Sequence, residues 1–370
     1  EHVAVVGHDV KSLLKNLLAA GIEQLPEVKH DTEQGSFLLN PLRKSRELAD
    51  LVGMESIDDP KLAVSAIWAL YDEQRQALES LPELARVAGT MDFPLISVLA
   101  RMEYKGIKLD TQLIADLSAE LGSEIESLER QMYEMAGFEF NLNSPAQVAE
   151  AFFERMGLPT TGLKKTKTGF YSTDVKTLNA LSSFEIIQVF MKYREYSKLK
   201  STYTDALPPL VDDESLLHTT YNQTGAATGR LSSDNPNLQQ IPVRTEIGRK
   251  IKAAFIPRNK DNVFVSADYS QFELRLAAIL AGDEKMINDF NAGTDIHAKT
   301  ASEVYHVPLD DVTKEQRRRA KVVNFGVLYG MSQHGLAAAA NMSFAEAQHF
   351  INEYFRVRPN VKAYLDATIK

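Results

Sequence analysis

Apolar and polar residues alternate along this chain in patterns that predict helices for most of it and a few short strands. Residues 3–7 form an apolar run typical of a buried strand, and the spacing over 11–20 predicts a helix. A second strand is indicated over 36–41, and helical spacing extends over 61–88. These elements predict an α/β block at the start of the chain.

The next part of the chain has a longer helical period. Helices are predicted over 113–135, 174–181 and 184–207. A further helix is expected to begin at Ser144, a good N-cap residue, with Pro145 in its first position. This part is therefore expected to be a second unit, built mainly of helices.

Strand signals return at 216–224 and 262–269, and the second of these precedes a helical pattern over 270–282. Residues 284–370 return to helical spacing, which is most regular over 314–329. The length of 370 residues suggests two or three domains.

Composition and charge exclude several classes of protein and locate a basic region. The chain has no cysteine, which excludes disulfides, thiolate zinc sites and Cys nucleophiles, and no apolar run approaches the roughly 18 residues of a membrane span. Motifs of P-loop ATPases and Rossmann dehydrogenases are absent, as is GxSxG. The net charge is −9, but residues 191–260 hold 11 basic and 7 acidic residues. A polyanion would use this middle part or the basic run 314–325; the alternative is a solvated charge distribution.

A carboxylate stands where the predicted strand meets its helix. Residues 263–267 alternate as in a strand that is buried on at least one face, and Asp268 lies at its end. Such an Asp can offer oxygen ligands to Mg2+, and Glu273 can point to the same site. The alternative is a capping Asp with a solvated Glu, which the bare Asp-x-x-x-x-Glu pattern favours.

Cations and aromatic residues share one predicted helix face. Arg317, Lys321, Phe325 and Tyr329 follow each other at intervals of four, which places them along one side of the helix. Cations suit a triphosphate, and an aromatic face suits a base or sugar. The alternative is an amphipathic helix whose aromatic residues pack in a core.

A long polar segment, residues 224–255, is rich in Gly, Ser, Asn and Gln and contains Arg230, Arg244, Arg249 and Lys250. Amides can contact base edges or sugars, and cations can contact phosphates. The alternative is an ordinary loop, although long structured loops without a role are uncommon.

In this order, these stretches resemble the family A DNA polymerases. DYSQFELR, from Asp268, is similar to the first palm motif, usually written DYSQIELR, and RRRAKVVNFGVLYG, 317–330, is similar to the fingers-helix motif. Residues 228–242 resemble the primer-template segment, 196–208 the thumb base and 164–173 the thumb tip. The resemblance covers nearly the whole chain.

The resemblance implies an α+β fold in the right-hand polymerase arrangement. The thumb would span 89–215, a partial palm 216–283 and the fingers 284–370. Part of a degenerate RNase H-like 3′–5′ exonuclease domain would precede them at 1–88.

The resemblance also implies a role for each matching residue. Asp268 and the carbonyl of Tyr269 would bind two Mg2+ ions, Glu273 would select deoxynucleotides, and Arg317 and Lys321 would grip the triphosphate, which makes Asp268, Arg317 and Lys321 the catalytic set. The other implied nucleotide contacts are Gln271, His297, Phe325 and Tyr329. The implied DNA contacts are Arg230, Asn237, Gln239, Arg244, Lys164, Lys165, Lys167, Lys198 and Lys200.

The implied activity is template-directed DNA synthesis, in which a deoxynucleoside triphosphate is added to a primer 3′-hydroxyl by two-metal phosphoryl transfer. The implied partners are primer-template DNA and deoxynucleoside triphosphates, without a membrane. We expect a monomer in the cytoplasm, associated with the nucleoid, that acts in replication or repair.

Two departures from the family pattern limit these expectations. The late palm motif His-Asp-Glu is absent, because neither His8–Asp9 nor His30–Asp31 is followed by Glu, so we expect a fragment that is nearly inactive alone. GHDVKSLL resembles an exonuclease helix but has Leu13 at the Asp position, and Arg75 follows Tyr71 where that domain has Asp. We therefore expect no proofreading.

Three alternatives remain. The first is a catalytically dead derivative that binds primer-template DNA, and the second is a nuclease that uses Asp268 and Glu273. A nuclease has no triphosphate to bind. The shared helix face of Arg317, Lys321, Phe325 and Tyr329 therefore argues against a nuclease. An RNA polymerase of the same superfamily is the third, against which Glu273 argues.

Overall fold

The computed structural model describes residues 3–243 and 245–370, so Arg244, one of the expected DNA contacts, lies outside the described residues. The chain divides into two compact units, Glu1–Phe264 and Val265–Lys370. Helices dominate both units, and all strands among the described residues belong to the first.

The first unit opens with a small α/β block, in which the parallel strands β1 (Ala4–Gly7) and β2 (Glu27–Asp31) are joined by α1 (Val10–Ala19). Its other helices are α2 (Thr32–Leu39), α3 (Leu48–Val52), α4 (Pro60–Glu79) and α5 (Pro82–Val87). Leu14 of α1 and Leu78 of α4 share one buried core. The first strand and first helix predicted from the sequence are confirmed.

The strand predicted over 36–41 is wrong, because most of these residues lie in α2. The carboxylate of Asp31 caps this helix and accepts the backbone N–H groups of Glu33 at 2.8 Å and Gln34 at 3.2 Å. A capping acceptor satisfies donors that the first turn of a helix leaves unpaired. The cap therefore stabilises a helix where the apolar run alone suits a strand.

A bundle of long and short helices follows. Its elements are α6 (Phe93–Lys105), the short strand β3 (Ile107–Leu109), α7 (Thr111–Ala136), α8 (Pro145–Ala149), α9 (Val175–Ala180) and α10 (Glu185–Leu199). Leu128 and Met132 of α7 share a core with Ile187 and Phe190 of α10. As predicted, Ser144 caps α8, and its hydroxyl accepts a backbone N–H at 3.4 Å.

Two small antiparallel sheets complete the first unit. β3 pairs on its two sides with β4 (Leu216–Leu217) and β7 (Phe255–Ile256), and α11 (Glu246–Ala253) precedes β7. β5 (Thr220–Asn222) and β6 (Ser232–Asp234) form a hairpin. The strand signals expected in this part of the chain are confirmed as β4 and β5.

The strand predicted over 262–269 is wrong. This segment is irregular, and within 3–243 and 245–370 it pairs with no other strand. Val263 is 80% exposed and Val265 is 87% exposed. A strand requires hydrogen-bonded neighbours, which no described segment supplies here. The sequence argument that placed Asp268 at the tip of a buried strand therefore lacks its structural basis.

The second unit is helical throughout its described elements. These are α12 (Phe272–Leu280), α13 (Glu284–Asn291), α14 (Ile296–Tyr305), α15 (Lys314–Leu328), α16 (Gln333–Ala340), α17 (Phe344–Val357) and α18 (Pro359–Ile369). α14, α15 and α17 surround a core that contains Ala301, Val323 and Phe350. In the described part of the chain, no helix combines the length and apolar character needed to cross a membrane.

Candidate functional site

The helix α15 is held in place by its cap and its buried side. The Thr313 hydroxyl accepts the backbone N–H of Gln316 at 3.2 Å, while the side chain of Gln316 accepts the backbone N–H of Thr313 at 2.9 Å. This reciprocal capping box fixes the first turn of the helix. Ala320, Val323 and Val327 are buried in the core of the unit, which sets the rotation of the helix.

The remaining side of α15 carries the residues singled out from the spacing. Arg317 and Lys321 are exposed, Phe325 is half-buried, and Tyr329, the residue that ends the helix, is 64% exposed. The order along this side is therefore two cations followed by two aromatic rings, as the spacing predicted.

Asp295 links the cationic end of this side to the start of α14. Its carboxylate accepts the backbone N–H groups of His297 at 3.0 Å and Ala298 at 3.1 Å, which caps α14. The same carboxylate accepts Nε–H of Arg317 at 2.7 Å. Burial alone raises the pKa of Asp295, but the hydrogen bonds from Arg317 and the backbone outweigh it and hold the pKa below its usual value. Asp295 therefore stays ionised and orients Arg317.

His297 lies beside this pair and is only 2% exposed. Burial is the largest cause that lowers its pKa to about 4, Asp295 opposes the shift, and Arg317 and Lys321 add to it. The ring lies 5.7 Å from the ring of Phe325, centroid to centroid. His297 is therefore neutral near pH 7.

His297 is bonded to a network of polar side chains that begins at Asn324. Nδ2 of Asn324 lies 2.9 Å from Nδ1 of His297, and Oδ1 of Asn324 accepts the hydroxyl of Thr300 at 3.1 Å. Nη2 of Arg358 donates to the Thr300 hydroxyl at 2.9 Å and lies 3.0 Å from Oε2 of Glu303. With the Asn324 amide in this orientation, its NH2 group donates to Nδ1 of His297, which places the ring proton on Nε2.

Asp268 and Tyr269 lie in the exposed irregular segment before α12. Gln271 occupies the N-cap position of that helix with a left-handed backbone, φ 53°, and without a side-chain capping hydrogen bond. A non-glycine residue in this region is uncommon and marks a sharp change of chain direction. This change of chain direction lies between the expected metal ligands, Asp268 and Tyr269, and the first turn of α12.

Glu273 lies half-buried in the first turn of α12. On the same helix, Leu274 and Ala278 belong to a buried cluster against which Phe325 and Leu328 of α15 pack. Therefore α12, which follows Asp268, and α15, which carries Arg317 and Lys321, pack against one buried cluster.

Three of the expected DNA contacts, Arg230, Asn237 and Gln239, lie beside β6 of the β5–β6 hairpin. Arg230 is exposed just before β6. Oδ1 of Asn237 accepts the backbone N–H of Gln239 at 3.0 Å, and the Gln239 side chain donates to the Leu231 carbonyl at 3.1 Å. These local bonds fix the side chains of Asn237 and Gln239.

The expected thumb lysines differ in their surroundings. Those at exposed positions are Lys164, Lys165, Lys167 and Lys198. Nζ of Lys165 lies 4.8 Å from the ring centroid of Tyr171. Lys200, in contrast, donates to Asp205 at 2.7 Å and to Ser118 at 2.9 Å. Through these contacts Lys200 joins its helix end to α7.

Comparison with known protein families identifies the family of this chain. Residues 111–370 match the sequence profile of DNA polymerase family A. The chain belongs to this family.

Two individual relatives, both DNA polymerase I, support this family assignment. It is 44% identical to DNA polymerase I of Geobacillus stearothermophilus over 377 residues, 95% of this chain and 42% of the relative. It is 40% identical to the thermostable DNA polymerase I of Thermus thermophilus over 363 residues, 97% of this chain and 43% of the relative. The chain thus spans less than half the length of these relatives.

A solved structure shares the fold of this family A polymerase chain. It is described as the POL domain of Pol1 from M. smegmatis in complex with DNA primer-template and dNTP. The TM-score is 0.86 at 35% sequence identity, over 97% of this chain and 64% of that one. The α+β polymerase fold expected from the sequence is therefore confirmed.

Family A DNA polymerases are generally metal-dependent, so the donor set of this chain matters. Across residues 3–243 and 245–370, no three His, Asp or Glu side chains gather in a way that could hold a metal ion. A two-ion site holds its ions about 3.5–4 Å apart and needs several oxygen ligands. Asp268 and the carbonyl of Tyr269 do not amount to such a set, so the described residues do not fit two Mg2+ ions by themselves.

Sequence reasoning missed four residues around His297, namely Asp295, Thr300, Asn324 and Arg358. An Asp two positions before a His at a helix start is an N-cap signal that could have found Asp295. Thr300 and Arg358 carry no such signal, because their contacts join positions 58 residues apart.

Proposed function

We propose that this chain supplies the primer-template and nucleotide-binding parts of a bacterial-type DNA polymerase that acts in replication or repair. The observation that carries the proposal is the side of α15 where Arg317, Lys321 and Phe325 lie next to the neutral His297. A nucleotide has a polyanionic end and a planar end, and this surface has cations followed by an aromatic ring in the same order.

Each group on this surface has a distinct task in the proposal. Arg317, oriented by Asp295, offers a planar guanidinium to phosphate oxygens, and Lys321 offers a point charge. His297 offers Nε2–H as a neutral donor, because Asn324 occupies its other nitrogen. Phosphates are therefore bound by charge and by one oriented hydrogen bond.

Other residues select the sugar and the base. Phe325 stacks against the nucleotide, and Tyr329 and Gln271 contact its base-pair and sugar edges. Glu273, held in the first turn of α12, closes the sugar 2′ side and selects deoxynucleotides. Together they favour deoxynucleoside triphosphates over ribonucleoside triphosphates.

DNA is bound by the first unit in this proposal. Arg230 and Gln239 contact the primer-terminal pair and the template strand, and Asn237 and Arg244 contact the backbone nearby. The exposed thumb lysines neutralise phosphates without reading sequence. Lys198 and, to a smaller extent, Lys200 extend this surface. The chain acts as a monomer on nucleoid DNA in the cytoplasm.

We further propose that the chain alone synthesises DNA weakly or not at all. Its sequence offers Asp268 but no His-Asp-Glu motif, and one carboxylate does not hold two Mg2+ ions. This leaves a second candidate function, that of a primer-template binding chain without catalysis, which the incomplete donor set favours.

Proofreading is proposed to be absent as well. Leu13, where the exonuclease motif has Asp, is 44% exposed on α1. Tyr71 is buried, and Arg75, four residues later, is paired with Glu79 at 2.8 Å. None of these side chains offers a carboxylate for a 3′–5′ exonuclease.

The test titrates the 370-residue chain into fluorescein-labelled primer-template DNA and follows anisotropy with and without a nucleotide. We expect DNA binding that a complementary deoxynucleoside triphosphate tightens, and a loss of this effect in Lys321→Ala. Lys362→Ala is the matched control, because Lys362 is an exposed lysine of the same unit that pairs with Asp366 and lies over the Phe355 ring.

Three outcomes would contradict the proposal. The proposal is rejected if the chain does not bind DNA, or if the nucleotide changes DNA affinity regardless of the template base. Degradation of the DNA would support the nuclease alternative instead. Primer extension measured in parallel decides whether the chain alone is active.

A further inference from the structure

The side chain of Glu103, on α6, is fully buried and bound from several sides. Lys11 and Lys15 of α1 lie 2.6 and 2.7 Å from its two carboxylate oxygens. Burial alone raises the pKa of Glu103, but hydrogen bonds from the two lysines and a backbone N–H outweigh it and hold the pKa below its usual value. Glu103 is therefore an ionised acid in the interior with fixed partners.

The third partner of Glu103 is the backbone of β5. The N–H of Tyr221 donates to Oε1 of Glu103 at 2.8 Å, and Nζ of Lys11 donates to the carbonyl of the same tyrosine. The two side chains therefore bind both polar groups of an edge strand, where another strand would otherwise pair. Glu103, Lys11, Lys15 and Tyr221 are called the Glu103 cluster.

Two further contacts attach the N-terminal part of the chain to the same hairpin. The hydroxyl of Thr224 donates to Glu33 of α2 at 3.1 Å, and the side chain of Gln223 donates to the carbonyl of Asp92 at 3.1 Å. The segment after β5 is thus tied to α2 and to Asp92, just before α6, at points separate from Glu103.

The hairpin of β5 and β6 connects the Glu103 cluster to the proposed DNA contacts. Tyr221 is opposite Ser233 of β6. The Ser233 hydroxyl accepts the backbone N–H of Leu238 at 3.0 Å, and Gln239 binds the Leu231 carbonyl at 3.1 Å. Arg230 lies two positions before β6. A shift of β5 would therefore move both ends of the DNA-contact segment.

We propose that the Glu103 cluster is a positioning device through which the N-terminal block, residues 3–88, holds the hairpin and sets the geometry of Arg230 and Gln239. This rests on the proposed function of those two residues. The block then contributes to DNA affinity without touching DNA, which gives a role to a part of the chain that lacks exonuclease carboxylates.

The test compares DNA affinity by anisotropy, and hydrogen exchange at the Tyr221 amide by mass spectrometry, across matched variants. Glu103→Gln keeps the shape but removes the charge, and Lys11→Met removes one partner. Lys11→Arg restores the cation. Leu78→Ala is the control for general destabilisation, because Leu78 is buried in the same block outside the cluster.

We expect Glu103→Gln and Lys11→Met to weaken DNA binding about tenfold, the loss typical of an ionised hydrogen-bond partner, and to speed exchange at Tyr221. Lys11→Arg should restore DNA affinity to within about twofold. Binding of a fluorescent deoxynucleoside triphosphate without DNA should stay unchanged, and Leu78→Ala should lower the melting temperature at unchanged DNA affinity.

The proposal is overturned if exchange at Tyr221 quickens in Glu103→Gln while DNA affinity stays within about twofold, or if Leu78→Ala weakens DNA binding equally. If Glu103→Gln fails to fold, Lys11→Met, which leaves Glu103 bonded to Lys15 and to the Tyr221 N–H, is read by the same two results. If the unaltered chain does not bind DNA, the proposed function fails, and the Tyr221 exchange still shows whether the cluster holds the hairpin.

Discussion

Asn324 lies 2.9 Å from His297, amide nitrogen to Nδ1, and fixes which ring nitrogen carries the proton. The pair joins α15 to α14 next to the cationic side of α15. Because burial lowers the pKa of His297 to about 4 from 6.5, the ring is neutral in the folded chain and free to be protonated in the unfolded chain. This difference makes stability depend on pH.

The first prediction concerns that dependence. Between the folded pKa of about 4 and the unfolded value of 6.5 the unfolded chain binds more protons, so stability falls as pH drops through this window and is unaffected by His297 above it. We expect His297→Gln to reduce the loss of stability between pH 7 and about pH 4.5 by about 2 kcal/mol. Urea unfolding followed by circular dichroism measures it, and equal losses in both proteins would contradict it.

The second prediction separates a buried ion pair from an exposed one. Arg358 is 2% exposed and pairs with Glu303, whereas Arg356, two positions earlier, is exposed and pairs with Glu353 at 2.8 Å. We expect Arg358→Ala to lower the free energy of unfolding by about 3–5 kcal/mol, because it removes a buried guanidinium that bonds to Thr300 and pairs with Glu303, and leaves Glu303 to Lys285.

Arg356→Ala is the matched control for this experiment and should cost about 1 kcal/mol or less. Thermal and urea unfolding provide the comparison. Similar losses in the two variants would show that Arg358 does not support the network beneath His297.

The third prediction concerns the salt dependence of DNA binding. Each phosphate that a lysine neutralises adds about 0.9 to the slope of log affinity against log salt. We expect combined substitution of Lys164, Lys165 and Lys167 by Ala to reduce that slope by about 2–3. The same substitution at Lys61, an exposed lysine of the N-terminal block, should leave the slope unchanged.

The sequence predicted those features that depend on neighbours along the chain. The spacing of Arg317, Lys321, Phe325 and Tyr329 placed these residues on one side of α15, and Ser144 was correctly identified as a cap. Such features follow from helix geometry and local hydrogen bonds.

Features that depend on distant partners were missed or wrong. The pattern of 36–41 suits a strand, whereas the cap at Asp31 makes most of it part of a helix, and no described segment supplies the neighbouring strands that the pattern of 262–269 requires. Glu103 binds the backbone of a residue 118 positions away. No periodicity or motif encodes a contact of that kind.

The central claim is that the side of α15 bearing Arg317, Lys321 and Phe325 holds an incoming nucleotide. Photo-crosslinking of an azido-substituted deoxynucleoside triphosphate to the chain bound to primer-template DNA, mapped by mass spectrometry, tests it most directly. We predict labelling within Lys314–Tyr329 that requires a complementary template base and is lost in Lys321→Ala. Labelling elsewhere, or labelling of this helix that ignores the template base, would contradict the claim.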